Sequence, residues 1–173
     1  MNGSGPRVGA PAQASGHVIR DSSLGLATQL IDALVQLNGS VWRRNDVRPA
    51  FIEMLRLRNA RTVNCVFCKS VRYDVARADG LTEETVELID DGFAASTLGE
   101  VEKAVLGFAD AYLRNPGVFA PELRERLRAH FSTAQICQMA VALATFSASS
   151  RCAVALGGMP ESLPVMEMPL PPA

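Results

Sequence analysis

Thr62–Glu84 reads TVNCVFCKSVRYDVARADGLTEE and sets Cys65 and Cys68 three residues apart in a chain otherwise full of Ala, Leu and Arg. That spacing fits a metal clip, a redox dithiol or two small hydrophobes in a core, and the surrounding sequence has to decide. Asn64 is a good N-cap and Gly80 a good C-terminal stop, so the pattern predicts one helix from Cys65 to Asp79. Residues i and i+3 of a helix share a face with Cα atoms about 5 to 6 Å apart, within reach of a reversible disulfide. At a helix start the free N–H groups and the positive dipole end favour thiolate, which makes Cys65 the better nucleophile candidate. Lys69, four residues after Cys65, and Arg72, four after Cys68, each add positive charge.

Outward from this segment the periodicity stays helical. Ala27, Leu30, Ile31, Leu34 and Leu37 recur at threes and fours behind a Ser22 or Ser23 cap, with Asn38-Gly39 as the stop. Pro49 opens a helix through AFIEMLRLRNAR to about Val63, and a short helix starts at Glu83. TLGE at Thr97–Glu100 reads as a capping box before an inward face of Val101, Ala104, Val105, Phe108 and Tyr112, closed by Asn115-Pro116-Gly117. Pro121 starts the next helix. STAQ at Ser132–Gln135 is a second capping box, opening a long helix to about Leu156. No segment alternates for long enough to predict a strand, so the expected fold class is all-α. Residues 1–20 are expected to be a flexible N-terminal tail, 21–157 one helical domain, and 158–173 a Pro-rich tail.

The chain has 173 residues, 48% hydrophobic and 20% charged, with a formal net charge of −1, as for a soluble globular domain. Arginines alternate with acids instead of forming runs, which argues against nucleic acid as a partner. The first twenty residues lack the apolar centre of a secretory signal, so a cytoplasmic location is expected. The most apolar stretch, Met139–Ser150, is shorter than the roughly 20 residues of a membrane span and is expected to be a core helix.

A reducing compartment makes structural disulfides rare. Cys137 and Cys152 lie fifteen apart on one predicted helix, about 22 Å, so they cannot pair with each other, and both are expected to be small core residues. Zinc commonly takes two pairs of Cys or His, and beyond Cys65 and Cys68 the chain offers two scattered cysteines, His17 and His130; no metal or cofactor is expected. Lys69 after Cys68 rules out a CxxCH haem motif, and a thioredoxin-like setting would need flanking strands. A dithiol on an all-α scaffold remains.

FIEMLRLRNARTVNCVFCKSVRYDVARADGLTEETVELI, EVEKAVLGFADAYL and TAQICQMAVALATFSASSRCAVALG together resemble the carboxymuconolactone decarboxylase family, in its alkylhydroperoxidase D-like branch. The resemblance spans roughly Ser22–Gly157. It rests on Glu53 twelve residues before the CxxC pair, the Arg-rich helix between them, and the Gly80–Glu84 turn. It implies an all-α bundle that assembles into trimers or hexamers. It also implies a dithiol, Cys65 and Cys68, that reduces hydroperoxides or a partner disulfide and is recharged by a lipoyl-type or similar thiol reductant.

The departure is as informative. The family's peroxidases carry a His four residues after the second Cys, and some carry another just before it; here Arg72 and Phe67 stand there. Imidazole titrates near neutrality and relays protons, whereas guanidinium stays charged, so Arg72 supports a thiolate without acid–base work. Tyr73 is the nearest other donor. Glu53 is either one half of a surface pair with Arg56 or a neighbouring arginine, or a buried base acting on Cys68 or Cys65. His130 is expected at a helix end, and Arg151 in a buried ion pair or a subunit contact. Three functions stay open: a thiol oxidoreductase, a non-redox decarboxylase or lactone-type enzyme that binds an organic acid through Glu53 and arginines, and a non-enzymatic homo-oligomer.

Overall fold

The computed structural model describes residues 7–16, 20–157 and 159–170. His17 lies outside them. Among the described residues the fold is all-α apart from one small parallel pairing. Its helices are α1 (Gln29–Arg43), α2 (Pro49–Thr62), α3 (Val66–Ser70), α4 (Asp74–Ala78), α5 (Glu83–Glu87), α6 (Glu100–Arg114), α7 (Pro121–His130) and α8 (Thr133–Leu156). Strand β1 (Val71–Tyr73) lies between α3 and α4, and β2 (Met166–Met168) follows α8.

Helix α2 is the centre. It packs against α6 on one side and α8 on the other, while α3 and α4 fold back over it. Ile52, Leu55 and Leu57 of α2 join Val105, Leu106 and Phe108 of α6 and Met139, Leu143 and Phe146 of α8 in one continuous core. Pro49 opens α2 at a position whose N–H a helix does not use, as expected. The STAQ box forms as read: Ser132 Oγ accepts from Gln135 N–H at 3.2 Å and Gln135 Oε1 from Ser132 N–H at 2.9 Å.

Four expectations are corrected. Ser22 caps only a 3-10 turn, Ser23–Ala27, and α1 runs on through Asn38-Gly39 to Arg43 because burying Val41 and Trp42 outweighs the glycine's low helix propensity. The α1 leucines do not all face inward either: Leu30 and Leu37 are exposed. The box at TLGE is displaced, with Gly99 as N-cap and its N–H donating to Glu102 Oε2 at 2.6 Å. At 24 residues, α8 is long and apolar enough to cross a membrane by length and composition, but its Met139, Leu143 and Phe146 face is packed in the core.

The fourth correction reaches the dithiol. Helix Cys65–Asp79 is broken into α3, β1 and α4, because side chains capture the backbone groups that a continuous helix would use. Arg56 donates to the carbonyls of Cys68 (2.7 Å) and Val71 (2.6 Å), and Arg72 to that of Lys69 (2.7 Å). Tyr73 N–H turns to Glu53 Oε1 at 3.3 Å. The freed strand Val71–Tyr73 pairs in parallel with Met166–Met168, Val71 opposite Met166 and Tyr73 opposite Met168. Strands therefore do form, across a wide sequence separation, where local alternation carries no signal.

Candidate active site

Cys65 is the N-cap of α3, and its backbone N–H donates to the Ala60 carbonyl at 2.9 Å, tying it to the end of α2. Asn64, read as the cap, instead supplies the left-handed turn (φ 53°) that lets the chain leave α2 and restart. Cys65 and Cys68 form a disulfide with Cα atoms 5.2 Å apart, inside the expected range. Cys68 N–H also donates to Cys65 Sγ at 3.2 Å. The two sulfurs differ in access: Cys65 is fully buried, while Cys68 is partly exposed and lines a cavity of about 600 Å3.

Glu53 is paired with Arg56, but in the core and not on the surface; its carboxylate accepts from Arg56 and from Tyr73 N–H. Its carboxylate meets the Arg56 guanidinium in a two-point contact, Nε to Oε2 at 2.6 Å and Nη2 to Oε1 at 2.7 Å, and both side chains are closed to solvent. Burial works to discharge Arg56, but the charge and hydrogen bonds of Glu53 outweigh it and hold the guanidinium protonated beyond its ordinary range. Through Arg56 the pair is fastened to the Cys68 carbonyl, and its guanidinium lies 5.4 Å from the Tyr73 ring centre. An ion pair set into a core in this way costs desolvation, which the two-point contact and the hydrogen bonds from Arg56 to two carbonyls offset.

The supporting residues take other places. Arg72 is buried but committed to Glu83 of α5 (Nε to Oε1, 3.0 Å) and to backbone carbonyls. Lys69 Nζ donates to Asn64 Oδ1 at 2.7 Å. Tyr73 lines the cavity with Cys68, its ring 4.5 Å from Trp42 and its hydroxyl 3.5 Å from Asn38 Nδ2. His130 ends α7 exposed, as expected. Cys137 and Cys152 are exposed, not core residues, because both fall on the outer face of α8. Arg151 is likewise exposed and bonds Ser147 Oγ at 2.9 Å; no buried ion pair forms.

Sequence reasoning did not single out Asn59, which is buried and lines the same cavity. A signal was present: Glu53, Arg56 and Asn59 recur every three residues along one helix, a polar stripe facing inward. The cavity's remaining walls come from α1, α8 and the two arms, including Leu34, Phe146 and Met168.

No family model matches the chain. Over 119 residues, 68% of its length, it is 33% identical to uncharacterized proteins of two strains of Mycobacterium tuberculosis, and it spans 41% of their length. Among solved structures it resembles a protein of unknown function from Agrobacterium tumefaciens described as a candidate antioxidant-defence protein AhpD. The TM-score is 0.65 and the identity 27%, over 76% of this chain and 90% of that one. The fold is AhpD-like.

Proposed function

We propose that the protein is a thiol-dependent oxidoreductase of the alkylhydroperoxidase D type, within the carboxymuconolactone decarboxylase family, that reduces a hydroperoxide or a partner disulfide through Cys65 and Cys68. The observation that carries this reading is the asymmetry of the disulfide, one sulfur facing a cavity and the other sealed. Cys68 thiolate attacks the peroxide; its S–O bond forms as O–O breaks, and the alkoxide takes a proton to leave as the alcohol. Cys65 then attacks the Cys68 sulfenic acid, giving the disulfide and water. An external dithiol supplies the two electrons for the return by attacking the accessible Cys68. Cys65 leaves as a thiolate that accepts the Cys68 N–H, and a stabilised leaving sulfur speeds exchange. The thiolate preference read at Cys65 thus serves the departing sulfur.

The acid-binding alternative has less support, since Arg56 and Arg72 already face Glu53 and Glu83. The outer faces of α8 and α1, with Val141, Leu30 and Leu37 exposed, support assembly into a homo-oligomer, and a cytoplasmic setting suits a dithiol that cycles. The test is the intact mass of reduced protein after one equivalent of an organic hydroperoxide. Loss of two hydrogens mapped to Cys65–Cys68, abolished in Cys68→Ser, is the expected result; both thiols still free after many minutes would overturn it.

A further inference from the structure

Attack of the Cys68 thiolate on a hydroperoxide leaves an alkoxide, and a proton has to reach it. Of the side chains that line the cavity with Cys68, Arg56 keeps its charge and is used up by Glu53 and two carbonyls. Asp21 accepts from the N–H groups of Ser15 and Gly16, and a carboxylate brings no proton at neutral pH. The aliphatic hydroxyls and amides of the wall, such as Ser149 and Asn38, are no stronger as acids than the alcohol to be released. Tyr73 differs in kind: a phenol is a far stronger acid than an alcohol, yet it holds its proton at neutral pH.

Tyr73 reaches the cavity because the helix breaks. Successive residues of a strand point to opposite faces, so β1 turns Arg72 to Glu83 of α5 and Tyr73 into the cavity that Cys68 lines. The tyrosine is held there at backbone and ring. Its N–H donates to Glu53 Oε1 at 3.3 Å, its ring centre lies 4.5 Å from that of Trp42, and the Arg56 guanidinium stands 5.4 Å from the ring centre. The same guanidinium donates to the Cys68 carbonyl at 2.7 Å, so one group fixes the phenol and the sulfur-bearing residue relative to each other. Among the described residues the Tyr73 hydroxyl makes one hydrogen bond, accepted from Asn38 Nδ2 at 3.5 Å, and its own proton is committed to no acceptor. A donor already positioned needs little reorganisation when charge develops beside it.

We propose that Tyr73 is the general acid of the peroxide step, giving its proton to the leaving oxygen as the O–O bond breaks. The Cys68 sulfur is oxidised: it takes the terminal OH and becomes the sulfenic acid. The peroxide is reduced: the O–O electron pair goes to the leaving oxygen, which takes the phenolic proton and departs as the alcohol. The phenolate is reprotonated from water, which received a proton when the Cys68 thiol ionised, so protons and charge balance. The inference rests on the redox reading of Cys68 and names the residue that completes it.

The test separates proton donation from packing through the leaving group. Reduced full-length protein is mixed with cumene hydroperoxide, whose alkoxide needs a proton, or with 3-chloroperoxybenzoic acid, whose carboxylate leaves without one. Oxidation is timed at Cys68 by quenching with an alkylating reagent and weighing the peptide. Tyr73→Phe keeps the ring, and it is expected to slow the hydroperoxide about a hundredfold relative to the peracid, the size of a general-acid contribution. A structural role would slow both oxidants by one factor, and a rate ratio equal to that of the wild-type protein overturns the proposal. The wild-type protein alone supplies a second readout: a solvent deuterium isotope effect is expected with the hydroperoxide and not with the peracid, and equal effects also overturn it. Oxidation of Cys68 by neither reagent removes the redox reading and this inference with it, whereas oxidation by both with an unchanged ratio removes this inference alone.

Discussion

Helices α2 and α8 invert what their compositions suggest. The first, crowded with arginine, is the most deeply buried element and takes Glu53, Arg56, Arg58 and Asn59 inside with it. The second is the most apolar, yet Cys137, Val141, Arg151 and Cys152 lie on its exposed face. The difference lies in partners. Each fully buried charge on α2 meets an opposite charge: Glu53 with Arg56, and Arg58 with Asp110 (2.5 Å) and Asp91 (2.8 Å). Polarity goes inside when it is satisfied, and apolar surface stays outside when nothing in the chain covers it.

The largest test of that contrast is Glu53→Ala. It leaves Arg56 buried and unpaired, and a loss of about 3–5 kcal/mol in urea unfolding is expected; a loss below about 1 kcal/mol would mean that the pair does not govern the burial of α2. Arg58→Met comes next, at about 2 kcal/mol, through the lost charged hydrogen bonds to Asp110 and Asp91. The outward face of α8 gives the smallest stability effect. Val141→Asp is expected to change the unfolding free energy by less than about 0.5 kcal/mol while lowering the sedimentation coefficient if the chain assembles through α8.

A finer reading of the Arg58 cluster comes from pH. The hydrogen bond and charge of Arg58 hold the Asp91 carboxyl below its ordinary value of 3.8. A carboxyl lower in the folded state than in the unfolded one stabilises above the unfolded value and loses that contribution as pH falls through the folded one. Carbon-detected titration of Asp91 should thus show it moving up towards 3.8 in Arg58→Met; an unmoved value would remove Arg58 as the cause.

The helices that were legible in the sequence are those whose ends are local. Pro49, Pro121, Gly80 and the Ser132–Gln135 box mark boundaries through groups within four residues, and all four hold. The dithiol spacing was legible for the same reason. What the sequence hid was set from afar. The break after Ser70 depends on Arg56 and Arg72 taking helix carbonyls and on a strand from the far side of α8. Likewise, the relative access of Cys65 and Cys68 depends on α1, α8 and the arms that enclose them. The side chain in the relay position, Arg72, faces Glu83 of α5, a pairing visible only once the helix is known to break.

The pairing of β1 with β2 also sets a clock. Val71 and Met166 are 95 positions apart, and a ribosome adding about 5–20 residues per second needs roughly 5–20 s to pass from one to the other. For that interval in every synthesis α2 and both cysteines exist while the strand that walls their cavity does not. The wall of the cavity that Cys68 faces is therefore completed only when Met166–Met168 docks, after the rest of the site has been made.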